Sequence, residues 1–216
     1  MSARVVVSSS GRDVSADRAG NVVVWLTPVE DAPASPAITR AKQRHPRLTQ
    51  HNKSFEPHLL VTPVGSVVEF PNRDPFFHNV FSLFEGKRFD LGLYEAGSTR
   101  DVHFDKPGVS YIFCNIHAEM NAVVIALDTP YFGVSNSRGE IVVSQVPAGR
   151  YTLRVWHETA APETLDAMTR EITISEKTST LGVLRVPSGA LPLAHKNKYG
   201  RDYDPPAPDN PAYEHP

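Results

Sequence analysis

A single cysteine, Cys114, stands in the octapeptide FCNIHAEM at residues 113–120, and His117 and Met120 follow it at intervals of three. Thiolate and thioether sulfur favour Cu(I), and imidazole serves Cu(I) and Cu(II) alike. Two His and one Cys in a trigonal plane, with a weak axial Met, make an electron-transfer site. This loop supplies three of those four donors. Two residues between successive donors allow one tight turn to aim all three side chains at a common point. A second imidazole must come from elsewhere. The best candidate is His78 in FPNRDPFFHNVF (70–81), which ends a turn and opens a strand whose alternation suits an inward side chain. The 36 positions between His78 and Cys114 are enough for the chain to leave one end of a sandwich and return to it.

Three stretches together resemble the cupredoxins: N-x-D-x-x-x-H-N-V at 72–80, the FDLGLYEAG region at 89–97, and PGVSYIFCNIHAEM at 107–120. The short Cys-x-x-His-x-x-Met loop is most similar to the amicyanin type. The resemblance spans roughly residues 50–128, with VVVWL (22–26) as a candidate earlier strand of the same sandwich. It implies that His78, Cys114, His117 and Met120 are the ligands of one copper ion cycling between Cu(I) and Cu(II). It also implies that Asn79 steadies the ligand loop through hydrogen bonds. The chain departs from the family pattern at Ala118 and Glu119, where apolar residues often flank the histidine. A carboxylate so near the metal would favour Cu(II) and weaken an apolar docking patch, and Phe76 and Phe77 are candidates to restore it. His58 could approach the same end, although a hydrogen-bonded strand histidine is the plainer reading.

Short β-type runs separated by turn residues must position these groups. HLLVTPVGSVVEF (58–70), VSYIFC (109–114) and AVVIAL (122–127) are rich in valine, isoleucine and aromatics, and no long stripe of helical period occurs. After residue 128 a second pattern begins. Residues 131–158 offer three short strands with turns at NSRG and VPAG, a loop covers 159–167, and REITISEK and TLGVLRVP close the unit. The VPAGRYTL signature resembles the carboxypeptidase regulatory-like, transthyretin-like β-sandwich, a module without catalytic machinery of its own. The expected fold is therefore all-β. A cupredoxin Greek-key sandwich (1–128), with a basic, proline-containing surface insertion at 31–53, precedes a small transthyretin-like sandwich (129–186). An extended proline-rich tail (187–216) ends the chain, either pinned by Tyr199, Tyr203 and Tyr213 or disordered.

The 216 residues carry 40% hydrophobic and 21% charged side chains and a net charge of −2, which offers no electrostatic case for nucleic acid. One cysteine excludes an intramolecular disulfide. No apolar run reaches the roughly 20 residues of a membrane span. No P-loop, HExxH, Cys-x-x-Cys or nucleophile-elbow motif is present, so the expectation is a redox carrier and not an enzyme. Its partner would be another redox protein, with a homo-oligomer left open. Copper delivery or storage, and an interaction module with a structural metal, are the alternatives. Cupredoxins work outside the cytoplasm, so the resemblance implies a periplasmic chain whose signal peptide has been removed.

Overall fold

The computed structural model describes residues 1–9, 12–13, 20–29, 45–83, 85–189 and 195–203. Residues 31–44 of the expected insertion, and the tail beyond 203 with Tyr213, lie outside them. The regular structure of the described residues is nearly all β, with one α-helix at Pro162–Met168. It divides into two compact units, Met1–Arg40 with Thr129–Leu193, and Ala41–Asp128 with Ala194–Pro216.

The first unit corrects the division expected from sequence. Val23–Pro28, assigned there to the metal-binding sandwich, instead pairs antiparallel with Gly149–Trp156 and with Phe132–Val134. Ser2–Ser9 likewise lies between Glu140–Val142 and Thr180–Pro187. Strand alternation reports that one face is buried, and it says nothing of which strand lies alongside. Here Val5, Val7, Val24 and Leu26 bury against Ile141, Leu153, Val155 and Leu184, so both N-terminal strands belong to the core built by residues after 129. The turn NSRG forms as the sequence suggests, because the Asn136 side-chain oxygen accepts the N–H groups of Arg138 and Glu140 and Gly139 takes φ 74°. The expected loop at 159–167 contains the helix. Pro162 pre-sets its first turn and Glu163 complements the helix N-terminus, but seven residues are too few to display a 3.6-residue period.

The second unit is a sandwich. Its larger sheet runs in the order Leu59–Pro63, Asn121–Leu127, Gly108–Cys114, His78–Ser82, Phe89–Tyr94, and its smaller one pairs Ser66–Pro71 with Thr99–Phe104. The inward residues of the two sheets, among them Val68, Phe70, Val102, Phe104, Val80, Tyr94, Ile112 and Val124, make one apolar core that reaches Cys114 and Met120. Residues 45–53 are no solvated loop. Leu48 and Gln50 are fully buried, and Thr49–His51 pairs with Ser54–Glu56. At Gly86 (φ 75°) a Cβ would fall 2.5 Å from the Ser110 hydroxyl and 2.6 Å from the Val109 carbonyl. Only glycine therefore closes the EGK turn against the Gly108–Cys114 strand.

Candidate metal centre

Two neighbouring strands of the larger sheet carry the donors. Gly108–Cys114 ends at the cysteine, and His78–Ser82, its antiparallel neighbour, begins at the histidine. The pair Cys114↔Val80 sets the register. Beyond Cys114 the chain turns and comes back as Asn121–Leu127, with the Cys114 N–H donating to Met120 O at 3.2 Å and the Met120 N–H to His117 O at 3.2 Å. That turn folds His117 back over the strand end.

The result is a cluster of three buried donors. The Nδ1 atoms of His78 and His117 each lie 3.6 Å from Cys114 Sγ, and all the donor atoms of the cluster fall within 4.8 Å of one another. Bonds of ~2.0 Å to nitrogen and ~2.3 Å to sulfur, opened by a trigonal to tetrahedral angle, would place nitrogen and sulfur about 3.5–3.7 Å apart. The observed separation fits a metal ion between them. Met120 is fully buried in the same core cluster as Cys114. A thiolate, two imidazoles and a buried thioether are the donors that suit one copper ion in both oxidation states, a type 1 set.

The surroundings prepare each donor. Burial lowers the His78 pKa, although its hydrogen bond to Asp74 opposes this. Burial, with the His78 ring beside it, pulls His117 down to about 4. Both rings are consequently neutral near pH 7 and present lone pairs. His78 Nε2–H donates to Asp74 Oδ2 at 2.8 Å, which selects the tautomer whose Nδ1 lone pair faces the sulfur. Burial pushes the Cys114 thiol up, while backbone N–H groups of Asn79, Ile116 and His117 favour the thiolate. A cation in the cluster would complete its deprotonation.

Asp74 is the D of the N-x-D-x-x-x-H-N-V stretch, but the sequence reading gave it no role. Its Oδ1 accepts the Asn52 N–H at 2.6 Å, its Oδ2 accepts the Lys53 N–H at 3.0 Å, and its own N–H donates to Asn72 Oδ1 at 3.0 Å. Asn52 and Lys53 both sit at φ 52°, so a left-handed bend aims their amides at the carboxylate. Asn79 meets the loop through its main chain, and its side chain turns to Asp90. Its carbonyl accepts the Asn115 N–H at 2.8 Å, while its Nδ2 donates to Asp90 Oδ1 at 2.7 Å. Glu119 is exposed and stands outside the donor cluster. His58 is also outside it and accepts the Val123 N–H with its carbonyl. Phe76 is half-buried, with its ring 5.3 Å from His78 and 5.4 Å from His117, whereas Phe77 is 51% exposed.

No protein-family model matches the sequence, and no curated protein matches it. Among solved structures the chain is similar to a copper-containing nitrite reductase from Thermus scotoductus SA-01, at 25% identity and TM-score 0.39 over 48% of this chain. The similarity spans only 28% of that reductase chain. A purple cupredoxin from Nitrosopumilus maritimus aligns at 22% identity and TM-score 0.35 over 38% of this chain and 99% of its own. Amicyanin from Paracoccus versutus aligns at 19% identity and TM-score 0.36 over 47% of this chain and 97% of its own. With scores this low, the copper assignment rests on the donor geometry.

Proposed function

We propose that the second unit carries single electrons between redox partners, and that it is no enzyme. The observation that supports this reading is the pair of equal 3.6 Å separations from Cys114 Sγ to the Nδ1 atoms of His78 and His117, all three residues buried. Bound copper would supply the one-electron redox change. The chain's part is to hold donors that suit both oxidation states, so that little rearranges on transfer, and to keep solvent out. The buried Met120 thioether would supply the fourth donor and leave no position for a substrate. His117 is only 5% exposed, and the Phe76 ring packs against it. An electron would therefore enter or leave near Phe76, exposed Phe77 and the Ala118–Glu119 turn, which we assign as the face presented to a redox protein. A periplasmic location accords with this reading. For the first unit the VPAGRYTL signature supports a scaffold or interaction role.

The test is the visible and electron paramagnetic resonance spectrum of the chain loaded with one equivalent of Cu(II), followed by voltammetry. An intense thiolate-to-copper band and a reversible one-electron wave are expected. A colourless complex, or one that accepts zinc equally well and shows no wave, would overturn the proposal.

A further inference from the structure

The copper-binding strand end has an unpaired acceptor that a distant part of the chain satisfies. Cys114 and Met120 stand opposite each other where the ladder between Gly108–Cys114 and Asn121–Leu127 runs out. In an antiparallel hydrogen-bonded pair each residue donates to the other. Here Cys114 N–H donates to Met120 O, but Met120 N–H turns inward to His117 O. The loop that gathers the ligands thus takes away the partner of the Cys114 carbonyl. Tyr203 replaces it, its hydroxyl donating to Cys114 O at 2.6 Å.

Tyr203 does not act alone. The His195 ring stacks on Phe113, next to the cysteine, with centroids 4.1 Å apart and planes at 28°, and His195 Nδ1 lies 3.2 Å from the Tyr203 hydroxyl. The Lys198 N–H donates to Asn115 Oδ1 at 2.9 Å, fixing the residue after the cysteine. Lys198 Nζ reaches Asp90 Oδ2 at 2.8 Å, and Asp90 Oδ1 in turn accepts from Asn79 beside the other ligand strand end. The segment has a defined shape of its own, because Asn197 Oδ1 accepts the N–H groups of Tyr199 and Arg201 and Gly200 takes φ 76°. Residues 195–203 are therefore a folded turn and not an extended stretch, and of the tyrosines expected to pin the tail Tyr203 does so while Tyr199 is 71% exposed.

We propose that His195–Tyr203 is a strap that positions the copper loop, with Tyr203 as its positioning residue acting through the Cys114 carbonyl. The strap pins the main chain on both sides of the thiolate, at Cys114 O and at the Asn115 side chain, and braces Asn79 through Asp90. Such clamping keeps Sγ at one distance from the two imidazoles whatever the charge of the site. The hydroxyl dipole also points its positive end toward the cysteine and stabilises the more negative, reduced state. Burial, and after it the nearby charges of Cys114 and Glu119, raise the Tyr203 pKa, so it remains a donor across the physiological range.

This inference rests on the copper reading, and the experiment separates the two. Tyr203→Phe removes one oxygen and leaves the ring against His195. In the metal-free full chain, amide exchange should accelerate at Cys114–His117 and at Lys198 relative to the unsubstituted protein. In the copper-loaded chain, loss of Cu(I) to a chelator should quicken about fivefold, the worth of one net hydrogen bond. The reduction potential should fall and the copper hyperfine splitting should change. Tyr199→Phe, on a ring 71% exposed in the same strap, should alter none of these. Should Tyr203→Phe fold poorly, Lys198→Gln breaks the link to Asp90, together with the contact of Lys198 Nζ with the Tyr199 ring, and should still speed exchange across residues 195–203. Unchanged exchange, release rate and potential in Tyr203→Phe would overturn the strap. If the unsubstituted chain gave no coloured copper complex, the copper reading would fall and the metal-free exchange alone would decide the strap.

Discussion

His78 Nε2 donates to the Asp74 carboxylate at 2.8 Å, and both side chains are within 3% of complete burial. Asp74 is itself held by the Asn52 and Lys53 amides, so the ring has one orientation before any metal arrives. Asp74→Asn keeps the shape and removes the charge that makes the imidazole a better donor. Copper affinity should fall about 10–100-fold, the usual cost of losing such a partner, and the potential should rise because Cu(II) loses more than Cu(I). Competition with a chelator and voltammetry measure the two effects. An affinity equal to that of the unsubstituted protein would show that the carboxylate serves only the fold.

Cys114→Ser replaces the thiolate with a poor ligand for Cu(I) while the 0% exposed site remains closed. The intense visible band should vanish and any bound Cu(II) should give an ordinary spectrum. A surviving band would mean that another group provides the colour.

Met120→Gln tests the axial position. An oxygen donor stabilises Cu(II) over Cu(I), so copper should stay bound at a lower potential. The residue is fully buried, and the variant must also be compared by thermal unfolding, since a buried amide without partners costs about 1–3 kcal/mol. A potential and spectrum that do not move would show that the turn aims Met120 away from the metal.

The donor loop was legible in the sequence because Cys114, His117 and Met120 lie within one turn, where spacing alone limits geometry. His78 was legible from its place at a strand start, which the structure confirms as the first residue of His78–Ser82. Asp74 was not, because an aspartate before Pro75 reads first as a turn former. Its position four residues before the histidine was the available signal. The strand at 23–28 was visible as a strand from VVVWL, but its partners lie more than a hundred positions away, as in Val24↔Val155, and alternation carries no partner information. The strap was half legible: Tyr203 was one of the tyrosines offered as pins and does hold the tail, but composition did not show what it would hold. Proline and polar residues signal an extended chain, whereas Tyr203, His195 and Lys198 act through single contacts that no periodicity announces.

His157 provides a pH test of the first unit. It is 9% exposed, its Nδ1 lies 3.0 Å from the Thr159 hydroxyl, and burial lowers its pKa from 6.5 against the opposing pull of Glu158. A histidine held neutral in the fold protonates more readily when unfolded. Its contribution is full above the unfolded value near 6.5 and is lost as pH falls from there toward the lower folded value. The opening free energy of the Gly149–Trp156 strand, from hydrogen exchange, should therefore decline between pH 7 and 5. His157→Gln should flatten that decline. An equally steep decline in the variant would assign it to carboxylates instead.

Glu119 is an exposed charge within the ligand loop. It stands outside the donor cluster and raises the pKa of both Cys114 and His117 by its field. A negative charge there favours the more positive Cu(II) state, so Glu119→Gln should raise the reduction potential. The carboxylate is wetted, and counter-ions within a Debye length of ~8–10 Å at physiological ionic strength weaken its reach. The rise should therefore be modest, and smaller at 1 M salt than at 10 mM. A carboxylate that bound the metal directly would behave differently, because the same substitution would then change the colour and the hyperfine splitting at every ionic strength. Voltammetry at two salt concentrations beside the spectrum distinguishes the cases, and a potential indifferent to both the substitution and the salt would mean that Glu119 does not tune the site.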